Sequence, residues 1–372
     1  MLANSFGTTA QVKSEPAAAG TDTITNFSAY KRAITFGGLL QTRYLGSLTK
    51  NVDVNGKNFD PAGTAGKITN TFMLKRVRLL VKGTVNDHFS ANLLVNFAEF
   101  SSDPANKVLE NAFIKYTLNK HFNVQAGQFR PFFGIEDVVQ NDIIRTLDYS
   151  NQYYAFGASG WQSFQTGVAI YGNINKGGQL RYYTGAYNGN NRNQATDNDN
   201  SKNVYGRLEA DITKHLSLGI NAAQGSLGAG TGNALGIDVK GNIKLNERWE
   251  LYLGGEYKTG TNFALYNALA VKPALHDVRM QGFYVFPIVR YNYNMRRVRA
   301  IEFSSRYEYF NESYKLAHNA RQTIIPNVSL IFADDFYAAL QMGVSIDMYQ
   351  RQVPLTMANT HNLAYLQLQV RF

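Results

Sequence analysis

Leu235-Gly-Ile-Asp-Val-Lys-Gly-Asn-Ile-Lys-Leu245 places Leu235, Ile237, Val239, Gly241, Ile243 and Leu245 on one parity and Asp238, Lys240, Asn242 and Lys244 on the other. Successive side chains of a β-strand point to opposite faces, so this stretch reads as a strand with one greasy face and one wet face. The pattern returns at Phe336, Ala338, Leu340, Met342, Val344, Ile346 and Met348, opposite Gln341, Gly343, Ser345 and Asp347. Val204, Leu208, Ala210 and Ile212 stand in the same way against Arg207, Glu209 and Asp211. From Ala33 onward such runs last about ten to fifteen residues; at a rise of ~3.3 Å and a tilt of ~40°, that covers a ~25 Å apolar band. A soluble sandwich or propeller has shorter strands and needs a second layer over its apolar face. Here there are neither helical patterns nor continuously apolar strands to supply that layer, and lipid is the cover that remains.

The connections alternate between short and long. Short turns fall at Asn86 to His88, Asn119 to His121, Asn175 to Gly178, Thr213 to His215, Asn246 to Arg248, Asn294 to Arg296 and Ala333 to Asp335. Longer links run from Ser47 to Asn70, Glu99 to Lys107, Pro131 to Gly160, Asn188 to Ser201, Gly225 to Asn233, Gly260 to Val278, Asn311 to Ala320 and Tyr349 to Thr360. Seven short and eight long connections imply about sixteen strands, an even number, with both chain ends on the short-turn side. The expected fold is all-β: a transmembrane antiparallel barrel with short periplasmic turns and long extracellular loops.

Composition agrees. Of 372 residues only 17% are charged and 13% are aromatic, with 23 Tyr and 23 Phe, and no run approaches the ~20 apolar residues of a spanning helix. The absence of cysteine excludes disulfides, thiol catalysis and Cys-ligated metal sites. The balance of 37 Lys+Arg against 27 Asp+Glu gives +10, which placement must assign to nucleic acid, a membrane surface or an anion path. Met1 to Gly20 lacks a basic start and a long apolar core, so either a signal peptide has been removed or export does not occur. Residues 1–32 read as a flexible periplasmic lead and 33–372 as the barrel. Aromatic residues near strand ends, Phe89, Phe122, Trp161, Trp249, Phe283, Tyr291, Tyr293, Tyr307, Tyr309 and Phe336, are expected in interfacial girdles.

Three segments carry a family resemblance: Ile34-Thr-Phe-Gly-Gly-Leu-Leu-Gln-Thr-Arg-Tyr44, Phe72-Met-Leu-Lys-Arg-Val-Arg-Leu-Leu-Val-Lys-Gly83 and Val124-Gln-Ala-Gly-Gln-Phe-Arg-Pro-Phe-Phe-Gly-Ile-Glu136. They resemble the phosphate-selective porin O and P family, most specifically at the corner Gly127-Gln-Phe-Arg-Pro-Phe-Phe-Gly134, one residue longer than the family pattern. The resemblance covers the chain from about residue 33 and implies a sixteen-stranded Gram-negative outer-membrane porin. It also implies a homotrimer that passes small anions or hydrophilic solutes and a third long loop, Pro131 to Gly160, folded into the barrel. The Asn and Tyr content points to a Bacteroidetes member. The terminal Phe372, after Leu366, Leu368 and Val370 on one face, looks like the assembly signal of such proteins.

A barrel of this size leaves a water channel, so function rests on inward residues. Taking the apolar parity as outward, twelve bases point inward: Arg43, Arg76, Arg78, Lys82, Lys115, Arg181, Arg207, Lys240, Lys244, Lys258, Arg290 and Arg306. Eight acids join them: Glu209, Asp211, Asp238, Glu250, Glu256, Glu302, Glu308 and Asp347. The expected pore-lining set is Arg43, Arg76, Arg78, Lys82, Lys115, Arg290 and Arg306, with Arg43, Arg76 and Arg78 at one height. These bases either draw anions through the pore or pair with acids and hold its shape, and the two readings are compatible. On the constriction loop the expected residues are Arg130, Glu136, Asp137, Asp142, Arg145 and Asp148, the acids facing the arginine wall. Phosphate-selective members are expected to carry lysines on this loop, yet no lysine lies between Lys120 and Lys176, which argues for general or weakly anion-selective passage.

The six histidines are scattered, with no convergence for a metal site. Gly225-Ser-Leu-Gly-Ala-Gly-Thr-Gly232 lacks the Lys-Ser/Thr of a phosphate-binding loop, and no Gly-x-Ser-x-Gly anchors a hydrolase. The reading is therefore a channel with no enzyme activity, cofactor or metal. Its partners are outer-membrane lipid and lipopolysaccharide, further copies of itself, other outer-membrane proteins and solutes in transit, and not nucleic acid. A scaffold barrel with a blocked lumen is the alternative. A saccharide channel would need a continuous aromatic slide, whereas Tyr183, Tyr252, Phe286 and Tyr349 point inward from separated strands.

Overall fold

The computed structural model describes residues 32–60, 62, 67–98, 108–138, 147–194, 196–197, 199–226, 228, 230–293, 295–333 and 338–372. Sixteen strands form one closed sheet: β1 (Ala33–Ser47), β2 (Asn70–Thr84), β3 (Phe89–Asn96), β4 (Leu109–Asn119), β5 (Phe122–Phe129), β6 (Gln165–Asn173), β7 (Leu180–Tyr187) and β8 (Asn203–Thr213). There follow β9 (Leu216–Ser226), β10 (Thr231–Lys244), β11 (Trp249–Thr261), β12 (Arg279–Asn292), β13 (Ala300–Asn311), β14 (Arg321–Ala333), β15 (Ala338–Tyr349) and β16 (His361–Arg371). Every neighbour is antiparallel, and an even strand number lets β16 close on β1 in the same sense, from Leu39 opposite Arg371 to Ser47 opposite Leu363.

The sheet is inside out by the standard of a soluble protein. On β10 the outward Leu235 is 52% exposed while the inward Asp238 is 3% exposed, as expected where lipid covers the outer wall and the lumen holds the polar groups. Outward aromatic pairs sit near strand ends, Phe89 with Tyr116 at 5.0 Å, Trp249 with Tyr291 at 4.7 Å and Phe283 with Tyr309 at 5.7 Å. No helix among the described residues is long and apolar enough to cross a membrane; strands make the crossing.

Four expectations are corrected. Trp161 is fully buried inside the barrel, donating its indole N–H to the Thr261 carbonyl at 2.8 Å, so it belongs to no girdle. The link expected from Gly225 to Asn233 is shorter, because pairing continues to Ser226 opposite Thr231. Tyr252 and Phe286 lie on adjacent strands with ring centroids 5.4 Å apart rather than on separated ones. Short helices do occur, inside the loops: α1 (Ile135–Val138), α2 (Asn151–Ala158) and α3 (Phe263–Ala268). Phe336 lies outside the described residues.

The chain end seals the seam. Gly38 donates its N–H to the Phe372 carbonyl at 2.7 Å, and Phe372 returns the bond to the Gly38 carbonyl at 3.1 Å. The Phe372 ring lies on Gly38 where a β-carbon would collide with it, so the glycine makes the seat and the ring shields the bare backbone.

Candidate functional site

Between β5 and β6 lies the third long loop, L3, whose described residues, 130–138 and 147–164, turn into the lumen. It is first tied to itself. Arg130 donates to the Glu136 carbonyl at 2.8 Å and to the Tyr149 hydroxyl at 2.5 Å, clamping the two described arms together. Glu136 accepts from the Ser150 N–H at 2.7 Å and the Ser150 hydroxyl at 2.5 Å, while Ser150 caps α2 by accepting from the Tyr153 N–H. Asp137 accepts from the Gln162 amide at 3.2 Å and the Ser163 N–H at 3.4 Å. Burial pushes the Asp137 carboxyl up to about 7, with Lys258 and Arg130 pulling only partly against it. Burial, reinforced by the negative charge of Glu256, raises Glu136 as well.

L3 is then moored to the wall at two places. On the far side Gly134 donates to the Asn221 side chain at 3.0 Å, and both Asn203 and Tyr205 donate to the Gly160 carbonyl at 2.9 Å. Phe133, Phe156 and Trp161 pack there against Phe263 and Met280, all fully buried. Gly134 has φ +96°, and its missing side chain leaves room for the Glu256 carboxylate and the Lys258 ammonium, themselves 2.7 Å apart. On the near side Asp148 binds Arg43 at 2.7 Å, Arg76 at 2.9 Å and Lys75 at 3.3 Å. Burial works against this charge, but Arg43, Lys75 and Arg76 overcome it and hold the carboxyl well below its ordinary range. Arg306 donates to the carbonyls of Asp148 and Tyr149, and Asn151 donates its N–H to Glu308 at 2.6 Å.

The geometry sorts the sequence candidates. Arg43, Arg76, Arg130, Glu136, Asp137, Asp148 and Arg306 meet at L3, though only Asp148 among the described loop acids faces the β1–β2 arginines, and Glu136 and Asp137 are turned into the loop. Arg78 sits on the same wall, bound to Glu110 at 2.7 Å. Lys82 and Lys115 continue that wall toward the short turns, Lys115 lying 5.4 Å from the Tyr171 ring. Arg290 is apart, paired with Glu302 at 3.1 Å. Asp142 and Arg145 lie outside the described residues.

Parity missed Lys75 and Glu110 for one reason. Each is the extra residue of a β-bulge, Lys75 between Leu74 opposite Thr42 and Arg76 opposite Gln41, and Glu110 between Leu109 opposite Val95 and Asn111 opposite Leu94. A bulge lets two successive side chains turn to the same side, which a strict count of two excludes. Arg192, from the link between β7 and β8, reaches within 3.6 Å of Glu110 and carried no sequence signal.

Charge is unevenly spread around the lumen. From β7 to β14 the bases have acids as wall neighbours: Arg181 with Asp211 at 2.6 Å, Lys240 with Glu209 at 2.8 Å, Arg306 with Glu308 at 2.7 Å, Arg321 with Asp347 at 2.7 Å, and Arg207 with Asp238. From β1 to β4 the described residues present Arg43, Lys75, Arg76, Arg78, Lys82 and Lys115, joined by Arg192, and the carboxylates facing them are Glu110 and Asp148. Between this wall and L3 lies a cavity of about 560 Å³.

A closed antiparallel barrel with an apolar outer wall, a charged lumen and a loop folded inward defines an outer-membrane porin. The chain belongs to the phosphate-selective porin O and P family, whose model matches residues 47–273. This makes it a channel-type protein of the Gram-negative outer membrane. The fold is similar to that of the anion-selective porin from Comamonas acidovorans, with 10% identity and TM-score 0.59 over 92% of this chain and all of that one. It is also similar to the trimer form of OmpT from Vibrio cholerae, with 12% identity and TM-score 0.58 over 92% and 99% of the two chains. The outer membrane channel DcaP of Acinetobacter baumannii gives 12% identity and TM-score 0.57 over 92% and 97%. No curated protein matches the sequence.

Proposed function

We propose that this porin is a passive, weakly anion-selective channel for small hydrophilic solutes, working as a homotrimer, with the passage running along the β1–β4 wall past L3. One observation carries the reading: among the described residues of β1 to β4, the bases Arg43, Lys75, Arg76, Arg78, Lys82 and Lys115 outnumber the carboxylates set against that wall, Glu110 and Asp148. A surplus of one sign along a narrow path with low-dielectric walls focuses the field and raises the local concentration of counter-ions. The pairs on the β7–β14 wall add shape and little net charge. L3 has Arg130 as its described base and no lysine, so its chemistry favours a general anion preference over a phosphate-specific site.

The test is the reversal potential of single channels across a KCl gradient: a potential on the chloride side is expected, and one favouring potassium overturns the reading. The scaffold alternative draws support from the fully buried aromatic block of Phe133, Phe156 and Trp161 within the lumen; a folded trimer with no conductance selects it.

A further inference from the structure

The cavity beside L3 has two chemically different sides. One presents Lys75, Arg76, Arg78 and Arg192, and the other presents the rings of Tyr154 and Phe164. The two sides touch at their edges. The Tyr154 hydroxyl comes within 3.5 Å of Asp148, the carboxylate that holds Lys75 and Arg76, and the Arg192 guanidinium lies 5.7 Å from the centre of the Phe164 ring. The Tyr154 side chain is half exposed, so its ring is available to a solute. Within the cationic side the Nε–H of Arg78 is buried with no acceptor among the described residues, while its Nη2 is committed to Glu110 at 2.7 Å.

Inorganic phosphate is small against about 560 Å³ and is held best when donors surround its oxygens. Here the charged donors Lys75, Arg76, Arg78 and Arg192 stand on one side, with Glu110 among them, while L3 offers neutral hydroxyls and rings. A carboxylate attached to a flat apolar body uses both sides, its oxygens at the cations and its ring against Tyr154, in the offset or edge-on contact that aromatic pairs prefer. We infer that this cavity is a transit site selective for aromatic carboxylates of the benzoate class over aliphatic carboxylates and inorganic phosphate. The inference rests on the basic passage proposed above and adds the substrate class.

Single channels of the full chain, held at constant KCl, are exposed in turn to benzoate, acetate and inorganic phosphate, and current interruptions are counted. Benzoate is expected to interrupt the current at concentrations about tenfold below the other two. Tyr154→Leu is expected to remove that advantage and Tyr154→Phe to keep it. Equal interruption by all three anions in a channel that still prefers chloride overturns the inference and leaves the passage reading intact. A potassium-selective channel overturns both. If no current flows, saturation-transfer NMR of benzoate and acetate on the detergent-folded protein decides the site alone, and equal transfer to both overturns it.

Discussion

Asp148 holds Arg43, Arg76 and Lys75 with one carboxylate, and Arg43 and Arg76 are nearly enclosed. Removing the negative partner of buried cations costs about 3 to 5 kcal/mol where they cannot reach water, and less here because Lys75 lines the cavity. Asp148→Asn is therefore expected to loosen the near mooring of L3 and to strengthen chloride preference, read as faster protease nicking within 131–160 and a larger reversal potential. Asp137 supplies a pH dependence. Its carboxyl lies at about 7 in the folded chain against ~3.9 unfolded, so the native state binds the proton more tightly. Stability from this group is thus greatest below the unfolded value and falls as pH rises to about 7. Above that pH a further negative charge enters the lumen, and chloride preference is expected to weaken between pH 6 and 8. Asp137→Asn should flatten that step in a reversal-potential titration.

At the scale of elements, L3 keeps its position through moorings that depend on backbone as much as side chain. Gly134 sits at φ +96° with its α-carbon facing the Glu256–Lys258 pair, where a β-carbon has no room. Gly134→Ala therefore combines an unfavourable dihedral, on the order of 1–3 kcal/mol, with a steric conflict. The expected outcome is release of the far mooring and a higher, noisier single-channel conductance with the barrel intact. Strand assignments and most loop positions were legible because a two-residue repeat survives any register. The two bulges were not legible, because Lys75 and Glu110 look like ordinary members of Lys75-Arg-Val-Arg78 and Leu109-Glu-Asn111 until a partner strand of different count lies beside them. The helix α2 was equally hidden: Asn151-Gln-Tyr-Tyr-Ala-Phe-Gly-Ala158 has no clean apolar stripe, because its buried face mixes Gln152 and Gly157 with Tyr153 and Phe156.

For the whole molecule, closure is the decisive event, since an open sheet in lipid leaves two rows of unpaired backbone groups. Phe372 and Gly38 meet at that seam. Deleting Phe372 is expected to slow formation of the compact, heat-modifiable species on gels without altering the reversal potential of the barrels that do close. The alternation of greasy and wet residues, together with the alternation of short and long links, determined by itself a sixteen-stranded barrel in a membrane, because both are local properties of the chain. It also gave the inward expectation for Arg43, Arg207 and Arg306, though the count of inward bases left out Arg321, which binds Asp347. Where the charge surplus lies, and that L3 turns two of its acids into itself and one to the arginines, was decided only by the tertiary structure. Pairing between residues more than a hundred positions apart, such as Arg43 with Asp148, depends on loop path and strand register, and no local pattern encodes either.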